Sequence, residues 1–196
     1  PGGEHTQPRR MSPRAVMSPA MGATRGKLLR RLQYLWIGEA ANVIVQPGVV
    51  VVLQRTLGQP VGLAGWYGLG LTVWIVCQGA IYWRRKARAL RRDSRLEPAT
   101  LRLFSVFKAL NWALLGGLPL VLCSRVAAGV AVFASPLDGL VAYAYGLLAL
   151  GEQINYYYLQ LAYDNRADLA WLWLHRRLKE PALARDLRLD ERDHAR

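Results

Sequence analysis

The chain has 196 residues, 53% of them apolar, and its 26 Lys and Arg against 13 Asp and Glu give a formal charge of +13. These charges cluster between long stretches that are almost free of charge. The distribution excludes a disordered polar chain, a disulfide scaffold and an ordinary soluble domain, and it indicates an integral membrane protein. Two cysteines and three histidines without metal-ligand spacing predict neither a metal site nor a cofactor.

The first segment of the chain is rich in Pro, Gly, Ser and Arg. We expect residues 1–25 to form a disordered basic tail, because a segment of this composition buries too little apolar surface to fold. The predicted organisation continues with a transmembrane bundle over residues 26–164. A cytoplasmic segment over residues 165–196 completes the chain.

Four apolar segments predict four membrane spans, at about residues 32–54, 61–83, 102–124 and 137–163. A helix needs about 20 such residues to cross a hydrocarbon core of roughly 30 Å. Helices are favoured over open sheets because their backbone groups pair within the segment. The sequence therefore predicts an all-α fold, an integral membrane four-helix bundle with an amphipathic interfacial helix after it.

The Lys and Arg residues predict the orientation of the spans. Of these 26 residues, 23 lie before span one, between spans two and three, or after span four. The positive-inside rule then places both termini in the cytoplasm, in a protein of the cytoplasmic membrane. We expect no binding to nucleic acid, because the charges stay close to the span ends. Basic residues expected to contact anionic lipid headgroups are Arg84, Arg85, Lys86, Arg176 and Arg177.

The segment after span four predicts the interfacial helix. Residues 168–179 place several leucines and tryptophans beside basic residues, a pattern typical of a helix lying on the cytoplasmic membrane face. Pro181 should end this helix. The remaining tail to Arg196 mixes both charge signs and is expected to be solvated.

Polar residues inside the spans predict a polar cluster in the inner leaflet. Counted from the cytoplasmic ends, most of these residues lie roughly 8 to 15 Å inside, and Glu152 lies near the midplane. All four helices contribute, so a ligand-binding or coupling site is predicted. Its residues are Glu39, Asn42, Gln78, Lys108, Asn111, Glu152, Asn155 and Tyr156.

The charged members of this cluster are expected to pair. An ionised side chain near the bilayer centre costs about 2.5 to 3.5 kcal/mol on insertion scales, so it should face the bundle interior. We predict a contact between Glu39 and Lys108. Glu152 then lacks a second cation, and we expect it to be protonated or hydrogen-bonded by Asn155, Gln78 or a tyrosine.

The polar cluster has several functional interpretations. It can simply hold the helices together, since polar contacts between spans contribute about 0.6 to 2 kcal/mol each. The leading functional hypothesis is a non-enzymatic module that binds a lipid headgroup or a partner membrane subunit, which includes a homo-oligomer. The alternative is a small oligomeric carrier that couples protons or cations through Glu39 or Glu152. The third option is an intramembrane lipid-modifying enzyme, although no nucleophile or metal set completes a catalytic site.

The position of Glu39, in the first of four spans, resembles that of a glutamate in the small multidrug resistance transporters. The resemblance covers this residue and the number of spans. That family is shorter, has brief loops, and lacks a long basic hairpin and an interfacial C-terminal helix. The resemblance bears on the carrier alternative alone.

Overall fold

The computed structural model describes residues 19–163 and 166–194. Within these ranges the chain is all-helical, with no strand, which confirms the predicted fold class. The predicted disordered tail lies outside the described residues up to residue 18, and helix α1 already begins at Pro19. The helices are α1 (Pro19–Leu57), α2 (Leu63–Arg91), α3 (Pro98–Ala127), α4 (Pro136–Tyr157), α5 (Arg166–His175) and α6 (Ala182–His194).

Three helices, α1 to α3, are long and apolar enough to cross a membrane. Much of their apolar surface is exposed: Ile44 on α1 is 76% exposed, and Leu120 on α3 is 70% exposed. Apolar surface of this extent fits helices that are solvated by lipid. Helix α4 has 22 residues and carries Asp138 and Glu152, and it is not one of these three.

Helix α2 lies at the centre of the bundle. It packs along α1 and α4, and less extensively against α3. A Cβ atom on Gly68 would lie 2.9 Å from the carbonyl oxygen of Ala142, so this glycine permits the close approach of α2 and α4. Further along the same pair, the Thr72 hydroxyl donates to the carbonyl oxygen of Tyr145 at 2.7 Å. The order of these contacts shows that α2 and α4 run parallel.

The first turns of α2 and α4 are joined by the carboxylate of Asp138, which is 1% exposed. Its Oδ1 accepts from the backbone N–H of Gly65 at 2.7 Å, and its Oδ2 accepts from that of Ala134 at 2.8 Å. The Ser135 hydroxyl caps α4 and also donates to the carbonyl oxygen of Pro60 at 2.8 Å. The carboxylate therefore lies at the positive ends of both helix dipoles, which stabilises its charge.

At the opposite end of the bundle, α2 and α3 are joined by a short turn over residues 92–97. Asp93 adopts the left-handed conformation there, with a φ of 55°. Helix α3 begins with Pro98 in its first turn, where proline needs no N–H partner. We call residues 84–102 the basic hairpin. Most of the basic hairpin is helical, because α2 continues beyond the predicted end of span two to Arg91 and α3 begins at Pro98.

Helix α6 covers the same end of the bundle. Leu183 and Leu187 are one helical turn apart, and both are buried in the main hydrophobic core with Tyr82. The prediction of a solvated tail is therefore wrong for residues 182–194. Helix α6 folds because its two buried leucines gain a core that the isolated tail lacks.

Helix α4 and the helix after it both differ from their predicted bounds. Helix α4 ends at Tyr157 rather than at residue 163. Helix α5 spans Arg166–His175 rather than residues 168–179. On α5, Trp173 is 82% exposed and Leu174 is 79% exposed. Large apolar side chains left open in this way fit the interfacial position predicted for this segment.

Candidate functional site

Most of the predicted residues lie in two separate groups. The first is a buried amide cluster, in which the predicted Gln78 and Asn111 are joined by Gln153. These side chains come from α2, α3 and α4, and each is at most 2% exposed. Asn111 Oδ1 accepts from Gln78 Nε2 at 2.9 Å, and Asn111 Nδ2 donates to Gln78 Oε1 at 2.9 Å and to Gln153 Oε1 at 2.8 Å. Asn111 thus joins three helices through one side chain.

Three further groups complete the hydrogen bonding of the amide cluster. Trp74 Nε1 donates to Asn111 Oδ1 at 3.0 Å, and the Tyr157 hydroxyl donates to Gln78 Oε1 at 2.9 Å. Gln153 Nε2 donates to the carbonyl oxygen of Lys108 at 3.1 Å. In the part of the chain that the structure describes, no buried side-chain nitrogen or oxygen lacks a partner. The amide cluster therefore bonds α2, α3 and α4 to one another.

The second group is the pair of half-buried carboxylates of Glu39 on α1 and Glu152 on α4, which we call the carboxylate pair. The Tyr156 hydroxyl donates to Glu39 Oε1 at 2.6 Å, and Tyr156 lies one helical turn beyond Glu152 on α4. Asn155 Nδ2 donates to Glu152 Oε2 at 3.2 Å. Of the partners predicted for Glu152, which were Asn155, Gln78 or a tyrosine, Asn155 is therefore confirmed, whereas Gln78 bonds to Asn111 instead.

The position of Tyr156 depends on a glycine in α2. A Cβ atom on Gly79 would lie 2.6 Å from Tyr156 Cζ, so a larger residue would displace the ring. Tyr156 is 4% exposed and lies between α2 and the carboxylate pair. The packing at Gly79 thus places the Tyr156 hydroxyl beside Glu39.

The predicted contact between Glu39 and Lys108 is not formed. Lys108 Nζ lies 4.8 Å from the centroid of the Tyr158 ring, where it makes a cation–π contact. Helix α1 packs mainly against α2, whereas α3 packs against α2, α4 and α6. The two residues therefore lie on helices that are not close neighbours, although the sequence places them at similar distances from the cytoplasmic ends of their spans.

The other two members of the predicted cluster have separate positions. Asn42 lies one turn beyond Glu39 and is exposed on the surface of α1. Asn155 Oδ1 accepts from the backbone N–H groups of Leu161 at 2.8 Å and of Ala162 at 3.2 Å. Asn155 therefore also fixes the chain where it turns away after α4.

Some of the basic residues predicted to contact lipid are bonded within the protein, and others are exposed. The Lys86 ammonium donates to Asp186 Oδ2 at 2.6 Å and to the Tyr82 hydroxyl at 2.8 Å, so it is engaged by α6. The Arg84 guanidinium lies 5.7 Å from the centroid of a Trp36 ring. Arg85 is bonded to α3, and Arg176 and Arg177 are exposed after α5.

The site predicted from the sequence includes neither Gln153 nor Asp138. Gln153 was missed because the apolar and polar positions of α4 do not reveal which way the helix is rotated toward α2 and α3. Asp138 carried a readable signal, since Ser135 and Pro136 before it mark a helix start and an acid is favoured in a first turn.

Comparisons with protein-family models, with curated proteins and with solved structures found no match. Among the described residues, no three His, Cys, Asp or Glu side chains are grouped so as to hold a metal ion. The chemistry available is therefore that of the carboxylate pair and of the basic groups at the hairpin end.

Proposed function

We propose that the protein crosses the cytoplasmic membrane four times, with α4 as the fourth span. Helix α4 begins beside the first turn of α2 at the Asp138–Gly65 bond and runs parallel to it as far as the Tyr157–Gln78 bond. At 1.5 Å per residue its 22 residues extend about 33 Å, which is enough for a hydrocarbon core of roughly 30 Å. A helix parallel to a membrane span over this length crosses the same layer.

We propose that the end formed by the basic hairpin and α6 faces the cytoplasm. Most Lys and Arg residues lie at this end or in the segments before α1 and after α4. The exposed Trp173 and Leu174 of α5 would then lie in the headgroup region, with Arg176 and Arg177 beside anionic lipid phosphates.

The function that we propose is non-enzymatic binding of an amine-bearing lipid headgroup at the carboxylate pair. One observation carries this proposal: Glu39 bonds to Tyr156, which lies one turn beyond Glu152 on α4, and neither carboxylate is ion-paired with a basic side chain of the described residues. Two carboxylates in an apolar layer gain most from a cation that bonds to both. An ammonium group supplies that charge and three hydrogen-bond donors.

Arg84 provides a complementary group for the same headgroup. Its guanidinium lies over Trp36, which is three residues before Glu39 on α1 and hence about 4.5 Å nearer the basic end. A zwitterionic headgroup carries an amine and a phosphate a few bonds apart. Its amine would bind the carboxylate pair, and its phosphate would bind Arg84.

Native mass spectrometry of the full chain extracted in detergent tests this proposal. Wild-type protein should retain phosphatidylethanolamine in preference to phosphatidylglycerol, which has no amine. The E39Q and E152Q variants should each lose about tenfold or more of that retention, because one charge-assisted hydrogen bond is removed. Gln still accepts a hydrogen bond from Tyr156, so these variants should fold.

The control for this experiment is E191Q, which neutralises an exposed acid on α6. Its lipid retention should equal that of the wild-type protein. Equal retention of both lipids by the wild-type protein, or unchanged retention in E39Q and E152Q, would refute amine recognition by the carboxylate pair.

The same pair also supports a second candidate, a proton- or cation-coupled carrier. Tyr156 bonds to Glu39 and lies one turn beyond Glu152 on α4, so its hydroxyl would relay a proton between the two carboxylates. In proteoliposomes, a carrier should show pH-dependent uptake of a cationic substrate that E152Q abolishes. Lipid retention without such uptake favours the headgroup-binding function.

A further inference from the structure

A cavity of about 270 Å³ lies within the basic hairpin, between the last turns of α2 and the first turn of α3. Four arginines line it, and Glu97 is its one acidic lining residue. The positive-inside rule requires basic charge at this end, but it does not require arginines to converge on one cavity. The arginines are Arg85, Arg88, Arg92 and Arg95.

Two of these arginines are held in place by other elements. Arg85 Nη1 donates to the Thr100 hydroxyl at 2.6 Å, and Thr100 is only 2% exposed. This bond connects α2 to the first turn of α3 across the cavity. Arg95 Nη1 lies 3.1 Å from Asp193 Oδ2 of α6, and both side chains are largely exposed, so this ion pair is easily exchanged for another anion.

The other two arginines extend the same face of α2. Arg85, Arg88 and Arg92 are spaced i, i+3 and i+7, which places them in one row along the helix. The first turn of α3, which begins at Pro98, adds the positive end of a helix dipole to the cavity wall. Every one of these features favours an anion.

We propose that this cavity binds a phosphate-bearing anion. Guanidinium groups match phosphate oxygens with paired hydrogen bonds, and several of them around one cavity compensate more than one negative charge. With a volume of about 270 Å³, the cavity has room for a phosphate together with a second phosphate or another substituent. Such a group can belong to a phospholipid headgroup or to a soluble phosphate compound, since the cavity lies just beyond the end of span two.

The site is separate from the carboxylate pair, and it does not depend on the function proposed above. Its lining contains neither Glu39 nor Glu152. The E39Q variant should therefore bind phosphate-bearing anions like the wild-type protein. Loss of amine-lipid retention and loss of anion binding can thus be told apart.

The test uses the full chain in phosphatidylcholine nanodiscs, in two arms. In one arm, inorganic pyrophosphate is titrated by isothermal calorimetry. In the other, the nanodiscs contain a small fraction of phosphatidic acid, and its ³¹P resonance is followed. The site variant is R88Q/R92Q, and the matched control is R188Q/R192Q, which removes the same charge, at the same spacing, from two exposed arginines of α6 outside the cavity.

The site variant should weaken binding about tenfold or more, while the control should stay within about twofold of the wild-type protein. Binding in the pyrophosphate arm alone identifies a soluble ligand, and binding in the phosphatidic acid arm alone identifies a lipid. Equal weakening by both variants would show diffuse charge attraction and overturn the proposal. Absence of binding in both arms would overturn it as well.

Discussion

Asp138 shows how a buried acid can connect the helices of an apolar bundle. Its two carboxylate oxygens bond to backbone N–H groups of Gly65 and Ala134. The first N–H groups of a helix have no partner within the helix, and in an apolar layer each one left unpaired is costly. Asp138 satisfies such a group on α2 and fixes where α2 and α4 begin relative to each other.

Replacing Gly65 with Ala should break this connection. The new Cβ atom would lie 2.6 Å from Asp138 Oδ1, so the carboxylate must move away from the backbone N–H of residue 65. We expect the G65A variant to lose about 1 to 3 kcal/mol of stability, measured by thermal unfolding in detergent. The matched control is G70A, because a Cβ atom on Gly70 would contact nothing within 4 Å.

The G70A variant should be as stable as the wild-type protein or slightly more stable, since Ala favours the helix over Gly. A G65A variant that unfolds at the same temperature as G70A would contradict a stabilising role for the Asp138 carboxylate.

Single residues also show what the sequence could and could not predict. Gln78 and Asn111 could be assigned to a buried polar cluster, because an amide within an apolar span must find a partner. The predicted contact between Glu39 and Lys108 was wrong, because two side chains can pair only if their helices are neighbours. The position of a residue within its span gives its height along the bundle axis. It does not tell which helices are neighbours around α2.

Among the elements, α6 joins the apolar core to the basic end. Leu183 and Leu187 are buried beneath it, while Asp186 receives hydrogen bonds from Lys86 and Tyr82. The ion pair of Lys86 with Asp186 is partly buried, with side-chain exposures of 24% and 20%. Apolar burial and one shielded charge pair therefore act together to dock this helix.

The L187A variant should release α6 from the bundle. Removing a buried leucine side chain costs about 2 to 5 kcal/mol, so the undocked fraction should rise at least about tenfold. Trypsin should then cut faster at the arginines of α6 in the folded protein. The control is L189A, since Leu189 is 49% exposed on the same helix.

Equal cleavage rates in L187A and L189A would indicate that the leucine contacts do not hold α6 in place. Faster cleavage in L187A alone would show that the loss of packing matters, because both variants change the helix propensity of α6 in the same way.

The elements also differ in how far they could be predicted. The spans α1 to α3 follow from the length of apolar sequence, which is a local property. The end of α4 could not be read in this way, because residues 158–163 are still aromatic and apolar enough to continue a span. The Asn155 side chain accepts a hydrogen bond from the backbone N–H of Leu161 there. A side-chain acceptor of this kind competes with the backbone carbonyls of a helix, and the helix ends. Docking of α6 depends on core residues that are distant in sequence, although the leucine spacing was visible.

At the scale of the whole molecule, charge is separated from apolar surface along the bundle axis. One end carries the basic hairpin with α6 on it, and the other carries the Asp138 contact and the connections that precede α2 and α4. Two acids of α6, Asp186 and Asp193, pair with basic residues of the hairpin. The protein thus neutralises part of the positive charge of the hairpin, including that of Arg95 in the arginine cavity.

Cysteine labelling tests the four-span orientation. In a C77S background, Cys123 is exposed at the end of α3 and should react with a membrane-impermeant maleimide in intact cells. Cysteines placed by S94C in the hairpin and by E191C on α6, in a chain lacking both native cysteines, should react only after permeabilisation. Labelling of E191C in intact cells would instead mean that α4 does not cross the membrane.

The Asp138–Gly65 bond has a consequence for how the chain is made, because its partners are 73 residues apart in sequence. Ribosomes deliver α2 to the insertion machinery well before α4 has been synthesised. Until then, the nascent α2 lacks the acceptor that completes its first turn and the helix against which it packs most closely. The emergence of α4 therefore completes the start of α2, and chains truncated before α4 should be recognised as unfinished by membrane proteases.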